Sequence, residues 1–183
     1  LIGDDVLYGG DGDDYLIGDS WIDNSYKYLI GDDVLYGGDG DDFIEGLFGS
    51  NTLYGGDGDD TLILFGTGDD YGYGEAGDDR IVFVSSTEFG DGVRVAYGGD
   101  GDDRFEAFSL SKLVLVDGGS GNDTFSGISF STSGTHTYSD GTISEITKIL
   151  GGDGDDTIGI DRSRFITNDI SSEQVLIDGG DGF

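Results

Sequence analysis

The chain has no cysteine, proline or methionine, and only eight of its 183 residues are basic. Without cysteine it can form no disulfide bond, thiolate metal site or thiol nucleophile. No apolar run approaches the roughly 18 residues of a membrane-spanning helix, and no basic segment followed by an apolar one marks a signal peptide. We therefore expect no membrane insertion. Because methionine is missing and both ends fall inside repeats, we expect a piece of a longer protein.

Acidic residues dominate the charge. There are 39 of them, and the formal net charge is −31. More than half lie in residues 1–79, where Lys27 is the single basic residue. A negative field of this size repels nucleic acid and anionic membranes and attracts cations. The composition therefore argues against a nucleic-acid partner and favours bound cations.

A glycine- and aspartate-rich hexapeptide recurs along the chain. Copies of GGDGDD or close variants begin at Gly9, Gly37, Gly55, Gly74, Gly98, Gly118 and Gly151, and a partial copy begins at Gly179. Glycines bend the backbone tightly enough to aim several carbonyl oxygens at one point. The final aspartate adds a carboxylate, which completes a set of hard oxygen ligands suited to Ca²⁺. Calcium binding is the first function that the sequence predicts.

Each hexapeptide is followed by three residues with an apolar one in the middle: Leu16, Ile44, Leu62, Ile81, Phe105, Phe125 and Ile158. A degenerate nine-residue unit precedes most copies, so one turn takes about 18 residues or more. Enrichment in Val, Ile, Thr, Tyr and Phe between glycine and aspartate clusters indicates strands. The predicted fold is all-β, a right-handed parallel β-roll or β-helix solenoid with little or no helix and the middle residues inside.

The segments that return from one hexapeptide to the next divide the chain into two regions. In residues 1–82 they keep a GDD turn at Gly3–Asp5, Gly31–Asp33 and Gly68–Asp70, and a GSN turn at Gly49–Asn51. In residues 83–183 they are longer, more polar and lack this turn. We predict one continuous domain, a regular two-sided roll over 1–82 that continues over 83–183 with one calcium column. The second column should end near residue 75.

Calcium is expected to drive folding. Two apolar side chains per turn bury little surface, while stacked aspartates repel one another. An ion held between two stacked loops turns that repulsion into bridging, so folding and binding become one event. The loops provide about seven sites and the return turns about three more, hence seven to ten Ca²⁺ ions. Permanent disorder is disfavoured because an apolar residue follows every loop at the same position.

The segment GGDGDDYLI at Gly9–Ile17, with its relatives across the chain, resembles the nonapeptide of the RTX, or haemolysin-type calcium-binding, family. The resemblance implies a calcium-loaded β-roll module of a bacterial protein that is exported by type I secretion to the extracellular space or cell surface. It implies carboxylate ligands at Asp14, Asp42, Asp60, Asp79, Asp103, Asp123 and Asp156, with Asp5, Asp33 and Asp70 as counterparts on the return side. It implies carbonyl ligands at Gly10, Gly12, Gly38, Gly40, Gly56, Gly58, Gly99, Gly101, Gly119 and Gly121. Asn51 and Glu75 depart from the pattern.

A tyrosine immediately precedes five successive hexapeptides: Tyr8, Tyr36, Tyr54, Tyr73 and Tyr97. In parallel strands these side chains should stack into an outward-facing ladder. Stiffening of the sheet by aromatic neighbours is the favoured interpretation. The alternative is an aromatic stripe that contacts a polysaccharide or a sister chain.

No catalytic residue is predicted. His136 is the only histidine, and the sequence places no nucleophile and orienting acid with it. Carboxylates are so abundant that no pair can be assigned as a glycosidase dyad. Trp21 and Lys27 lie in an insertion, where they form either an exposed contact patch or a cover over the end of a return segment. We expect a protein that is not an enzyme.

The favoured function is a calcium-binding extracellular structural solenoid, a segment of a bacterial surface, adhesive or fibre-forming protein. Exposed strand edges at the ends of a solenoid favour association of copies end to end or side by side. One alternative is an RTX folding and secretion module attached to an extracellular protease, lipase or alginate-modifying enzyme. Another is a carbohydrate-binding module that uses the tyrosine ladder.

Overall fold

The computed structural model describes residues 3–19, 31–66, 68–85, 92–107, 114–128, 136–137, 143–144, 147–160 and 175–180. Trp21 and Lys27, and with them the predicted contact patch, lie outside these ranges. His136 is placed as backbone in a short strand. The described residues contain strands and connecting turns and no helix. None of them belongs to a helical segment long and apolar enough to cross a bilayer.

The strands, numbered in chain order, form two parallel sheets that the chain enters alternately. The first sheet runs in the order β1 (Val6–Asp11), β3 (Val34–Asp39), β5 (Thr52–Asp57), β7 (Asp70–Ala76), β9 (Arg94–Asp100), β11 (Val114–Ser120), β15 (Thr147–Asp153), β17 (Val175–Asp178). The second runs in the order β2 (Tyr15–Ile17), β4 (Phe43–Glu45), β6 (Thr61–Gly66), β8 (Arg80–Ser85), β10 (Arg104–Ala107), β12 (Thr124–Ile128), β16 (Thr157–Ile160). A separate antiparallel pair joins β13 (His136–Thr137) to β14 (Ile143–Ser144). The arrangement confirms the predicted all-β solenoid.

Strand register follows the repeat. Tyr8 pairs with Tyr36, and Gly10 with Gly38. The same positions pair again in the next turn although the sequence spacing falls from 28 to 18 residues. In parallel strands, a shift of one residue would move every interior side chain to the outside, so register is strongly specified. Register is therefore the same across connections of different length.

The core is a narrow row of apolar side chains between the two sheets. The second sheet contributes the predicted middle residues, of which Leu16, Ile44, Leu62, Ile81, Phe105 and Phe125 are buried, and Ile158 packs against them. The first sheet contributes Leu35, Leu53, Ala96, Val116 and Ile149. Phe105 and Phe125 stack with ring centroids 4.8 Å apart. Because the interior is about one side chain deep on each side, hydrophobic burial per turn is small.

Candidate metal loops

Each hexapeptide forms the turn that carries the chain from the first sheet to the second. In the first copy, β1 ends at Asp11 and β2 begins at Tyr15. Parallel stacking therefore places all hexapeptide turns along one edge of the solenoid. We call the final aspartates of these turns the loop column. They are Asp14, Asp42, Asp60, Asp79, Asp103, Asp123 and Asp156.

In every loop-column residue after Asp14, one carboxylate oxygen accepts a hydrogen bond from the backbone of the preceding turn. Asp14 donates its N–H to Oδ1 of Asp42, and Asp42 donates to Oδ1 of Asp60, each at 2.7 Å. The series continues to Asp156 at distances from 2.8 to 2.9 Å. Each carboxylate is thereby held in one orientation by a bond between turns.

The other carboxylate oxygen has no hydrogen-bond partner. Oδ2 is buried and unsatisfied in every loop-column residue. A buried, unsatisfied polar atom costs about 1 to 3 kcal/mol, and more when it is charged. A row of such oxygens fits a bound cation that supplies the missing interactions.

The first glycine of each hexapeptide leaves the space that a cation needs. A Cβ at Gly9 would lie 2.6 Å from the carbonyl oxygen of Gly37 in the next turn and 2.7 Å from Oδ2 of Asp14. These lengths are close to the 2.3 to 2.6 Å of Ca²⁺–oxygen bonds. The same two kinds of oxygen surround the missing Cβ at Gly37, Gly55, Gly74, Gly98, Gly118 and Gly151. The residues present therefore fit calcium held between a carboxylate of one turn and a carbonyl of the next.

Carboxylates alone cannot complete these sites. Within the described ranges, no three acidic or histidine side chains converge on one point. Ca²⁺ takes six to eight oxygen ligands. Backbone carbonyls, which the glycine-rich loops present, and water must supply the rest.

The glycines predicted as carbonyl ligands all adopt positive φ: Gly10, Gly12, Gly38, Gly40, Gly56, Gly58, Gly99, Gly101, Gly119 and Gly121. At Gly40, with φ of 131°, a Cβ would also lie 2.5 Å from the carbonyl carbon of Gly12 in the preceding turn. Glycine is required there by conformation and by spacing. The loops can therefore stack backbone on backbone, which brings their carbonyls together.

Glu75 occupies one of these positive-φ positions. Its φ is 81°, where Gly56 and Gly99, its partners in the neighbouring strands, have 125° and 124°. A residue with a Cβ is strained in this region. Glu75 therefore takes the place of a glycine in the repeat by adopting a strained backbone conformation, which costs free energy.

A second ladder, which sequence reasoning missed, is formed by the residue before each loop-column aspartate. Asp59 donates its N–H to Oδ1 of Asp41 at 2.9 Å, and Asp78 donates to Oδ1 of Asp59 at 2.9 Å. These bonds point in the opposite direction along the solenoid from those of the loop column. Where the repeat has Asn122 instead of an aspartate, the ladder continues, because Oδ1 of Asn122 accepts the N–H of Asp155 at 3.0 Å. The doubled DD of the repeat was the available signal.

A similar set of stacked turns lies on the opposite edge, where the chain returns to the first sheet. We call Asp5, Asp33, Asn51 and Asp70 the return column. Asp5 donates to Oδ1 of Asp33 at 2.8 Å, Asp33 to Oδ1 of Asn51 at 3.0 Å, and Asn51 to Oδ1 of Asp70 at 3.0 Å. Oδ2 of each aspartate in this column is buried without a partner. The predicted return-side residues thus share the geometry of the loop column.

Asn51 differs from its neighbours because an amide nitrogen takes the place of the second carboxylate oxygen. A Cβ at Gly46 would lie 2.8 Å from Nδ2 of Asn51, where an aspartate would present Oδ2. Nδ2 instead donates to the carbonyl oxygen of Phe48 at 3.2 Å. The amide thus brings a hydrogen-bond donor where the aspartates of the column present an acceptor.

Asp19 is a further buried carboxylate that sequence reasoning missed. It is 1% exposed, and its Oδ2 accepts from the N–H of Gly31 at 3.3 Å. Burial raises its pKa to about 6, with a contribution from the nearby charge of Asp33. The residues Gly18–Ser20 read GDS, which resembles the GDD of the return turns too weakly to distinguish Asp19 from the insertion that follows.

Burial disfavours the ionised form of Asp60, Asp79, Asp103 and Asp123 when no metal is bound. Desolvation raises the pKa of Asp60 and Asp123 to about 6, of Asp79 to about 7 and of Asp103 to about 8. The neighbouring aspartates of the stack add repulsion, while the hydrogen bonds from the preceding turns oppose the rise. Without a cation, the loop edge is electrostatically unfavourable near neutral pH.

Two aspartates of the return column, Asp33 and Asp70, have raised pKa values for the same reason. Desolvation raises the pKa of Asp33 and takes that of Asp70 to about 7. The hydrogen bond from Asn51 and the positive charge of Arg94 lower the pKa of Asp70 and so oppose the effect of burial. A positive side chain therefore acts on the last carboxylate of this column.

The five predicted tyrosines form a continuous stack on the outer face of the first sheet. Ring centroids are 5.0 Å apart for Tyr8 and Tyr36, and 4.8 Å for Tyr36 and Tyr54. They are 4.9 Å apart for Tyr54 and Tyr73, and 5.3 Å for Tyr73 and Tyr97, with rings within 9° of parallel throughout. The predicted ladder is present. Whether it contacts a partner stays a prediction.

The chain matches the model of a known family. The family model described as RTX calcium-binding nonapeptide repeat (4 copies) matches residues 2–20, 29–62, 66–82, 95–107, 115–127 and 148–158, more than half of the chain. No curated protein and no solved structure matched the chain. The matched segments contain every residue of the loop column and the return column.

Proposed function

Since the chain belongs to the family of RTX calcium-binding nonapeptide-repeat proteins, we propose that it is a secreted bacterial solenoid that folds when calcium binds and serves as a structural segment of a surface, adhesive or fibre-forming protein. RTX nonapeptide repeats bind calcium, and the two sheets form the scaffold that stacks them. One observation carries the proposal: the unbroken row of buried, unpartnered Oδ2 atoms in the loop column.

Calcium would be held by the loop-column carboxylates together with glycine carbonyls of the same and the next turn. When bound, it supplies positive charge between layers of aspartates. The chain's own contribution is to orient the carboxylates that follow Asp14 through bonds from the preceding turn and to keep the space at the first glycine free. The proposed number is seven to ten ions.

The experiment compares metal-stripped protein with protein in millimolar calcium. We expect calcium to induce the far-ultraviolet circular dichroism of strands and a cooperative melt, and calorimetric titration to show several ions per chain. Magnesium should not substitute, because it demands a small octahedral shell and keeps its waters. Unchanged strand signal and melting in EDTA would show that the fold does not depend on calcium.

Matched variants locate the ions. Asp60→Asn should lower the calcium stoichiometry, because Asp60 is buried and its Oδ2 faces the ion space. Asp57→Asn makes the same change of charge in the same loop, at an exposed side chain. It should leave the stoichiometry unaltered. Equal effects of the two changes would mean that general acidity, not the loop geometry, attracts the ions.

We further propose that the module has no catalytic activity of its own and supports other parts of a longer chain. His136, the single histidine, gives no nucleophile and acid constellation in the sequence. An enzyme attached elsewhere in the protein is the alternative, and the adjoining sequence decides it. A zinc-binding HExxH or a GxSxG motif there would favour a folding and secretion module for a protease or lipase.

Self-association is proposed through the edges of the first sheet. β1 and β17 each pair on one side only among the described strands. Unpaired edges of parallel strands can accept a further strand from another copy. Sedimentation in millimolar calcium over a range of protein concentrations should show oligomers or filaments. A monomer at every concentration would refute this part of the proposal.

Polysaccharide binding is a second candidate, which the tyrosine stack favours. Tyr8 is 74% exposed at one end of five nearly parallel rings. Flat aromatic faces stack against sugar rings. Alanine at Tyr36, Tyr54 and Tyr73 should abolish heat of binding in titrations with polysaccharides if the ladder is a binding surface. Alanine at Tyr15, an exposed aromatic on the other sheet, is the control.

A further inference from the structure

Arg94 is a buried positive charge in an otherwise acidic solenoid. Its side chain is 1% exposed and is among the largest fully buried ones. Arginine is almost never fully buried unless its charge is paired. The other two arginines with described side chains, Arg80 and Arg104, are on the surface and pair with Glu106.

Register places Arg94 at the next position of the return column. Arg94 pairs with Asp70 in the neighbouring strand. Two residues earlier, a Cβ at Gly92 would collide with the carbonyl group of Gly68. The return turns at Gly3, Gly31 and Gly49 stack backbone on backbone in the same manner. The segment Gly92–Arg94 is therefore the continuation of the GDD turns, with arginine where the others have a carboxylate or an amide.

The hydrogen-bond ladder changes at this point. Asn51 donates its N–H to the side chain of Asp70, but the N–H of Asp70 turns to the carbonyl oxygen of Val93 at 2.9 Å. Asp70 keeps a buried Oδ2 that accepts no hydrogen bond among the described residues. Oδ1 of Asp70 is thus met by a hydrogen bond from Asn51, and Oδ2 is left for a positive charge to balance.

The guanidinium reaches a carbonyl of the turn that follows Asp70. Nη2 of Arg94 lies 3.4 Å from the carbonyl oxygen of Val84 at the end of the second-sheet strand. Earlier in the column, the ion space beside Asp33 is bounded by Oδ2 of Asp33 and, 3.0 Å from the missing Cβ of Gly18, by the carbonyl of Gly46 in the following turn. A carboxylate of one turn and a carbonyl of the next thus bound the ion space beside Asp33. Arg94 likewise pairs in register with Asp70 and donates to a carbonyl of the following turn.

We propose that the Arg94 guanidinium takes the place of a calcium ion beside Asp70, so that the return column ends in a cation built into the chain. This inference rests on the proposed calcium function and deepens it. The attached charge leaves no room for an ion between Asp70 and the following turn. Asp70, the last carboxylate of the return column, then needs no metal ion. The turns after Arg94 need no carboxylates on the return side.

The test counts calcium ions per chain in variants, by calorimetric titration or equilibrium dialysis. Arg94→Asn, which copies the residue type of Asn51, and Arg94→Asp, which restores the column residue, should each bind one more ion than the wild type. Adding Asp70→Asn to Arg94→Asn should remove the gained ion again. Arg104→Asn, at a side chain 57% exposed, changes the charge equally and should leave the count unaltered.

Wild-type protein in the same titration separates the two levels of the proposal. If the wild type takes up no calcium, the proposed function fails. If the wild type binds ions and neither Arg94 variant exceeds its count, only the role of Arg94 is overturned. Failure of both variants to fold in saturating calcium, with Arg104→Asn folded, would also overturn it, because a vacated site should accept an ion.

Discussion

The loop column and the return column both stack buried polar side chains on consecutive turns, but they differ in which side chains they use. In the loop column, seven aspartates follow one another without interruption, and each has a buried Oδ2 without a partner. In the return column, Asn51 replaces one aspartate by an amide, and Arg94 follows the last one. The turns themselves stack equally closely at both edges. Close stacking of glycine turns therefore does not require a carboxylate at every level, provided that each buried carbonyl or carboxylate meets some positive group.

The largest expected effect concerns the metal-free chain and pH. Buried aspartates at both edges have pKa values raised to about 6 to 8, against 3.8 for the free side chain. The folded state therefore binds protons more tightly than the unfolded state. This contribution to stability is fully present below about pH 4 and is lost as pH rises through about 6 to 8. Metal-stripped protein should show more strand signal in circular dichroism at pH 5 than at pH 8.

In the presence of calcium, the pH dependence of folding should have the opposite sign. Protons compete with the ion for the same oxygens, so the calcium concentration at the folding midpoint should be higher at pH 5 than at pH 8. A midpoint independent of pH would show that the raised pKa values do not belong to the ligands. Equal strand signals at the two pH values without metal would contradict the first half of the prediction.

The next effect isolates one member of the loop column. Asp79→Ala removes the Oδ1 that accepts from Asp60 and the Oδ2 that faces the ion space. Loss of a buried charged partner costs about 3 to 5 kcal/mol. We expect a fall of that order in the free energy of unfolding in calcium, measured by denaturant titration, and a reduced ion count. Asp100→Ala, at an exposed side chain of the next hexapeptide, should change stability by less than about 0.5 kcal/mol.

A smaller effect should make the return column more like the loop column. Asn51→Asp replaces the amide that bonds to Phe48 by a second carboxylate oxygen. We expect one additional calcium ion and, at calcium well above its dissociation constant, a gain of about 1 kcal/mol. In EDTA the same variant should be less stable than the wild type. An unchanged ion count would mean that the column lacks the carbonyl ligands at this level.

The smallest effect concerns the backbone of a single loop. Glu75→Gly should stabilise the calcium-bound protein by about 0.5 to 1 kcal/mol, because glycine adopts the positive φ at this position without strain. Glu75→Gln removes the charge but keeps the strained backbone, so it is the matched control. If both variants raise the melting temperature equally, charge repulsion and not conformation is the cause.

The repeat made much of this architecture predictable. Leu16, Ile44 and Phe105 could be placed inside because one apolar residue follows every loop at the same offset. Tyr36 and Tyr54 could be placed in a ladder because parallel strands in register stack equivalent positions. The terminal aspartates could be singled out because glycine and carboxylate together favour Ca²⁺. Each of these inferences depends only on neighbours along the chain and on the period.

The sequence by itself determined the fold class, the register and the choice of ion, because these follow from a local pattern repeated many times. Only the tertiary structure decided which oxygen of each aspartate is used by the backbone, in which direction the second ladder runs, and that Arg94 follows Asp70 in the return column. These features depend on the stacking of turns separated by irregular insertions. Asp70 and Arg94 are 24 residues apart, and nothing local to either residue shows that backbone pairing brings them side by side.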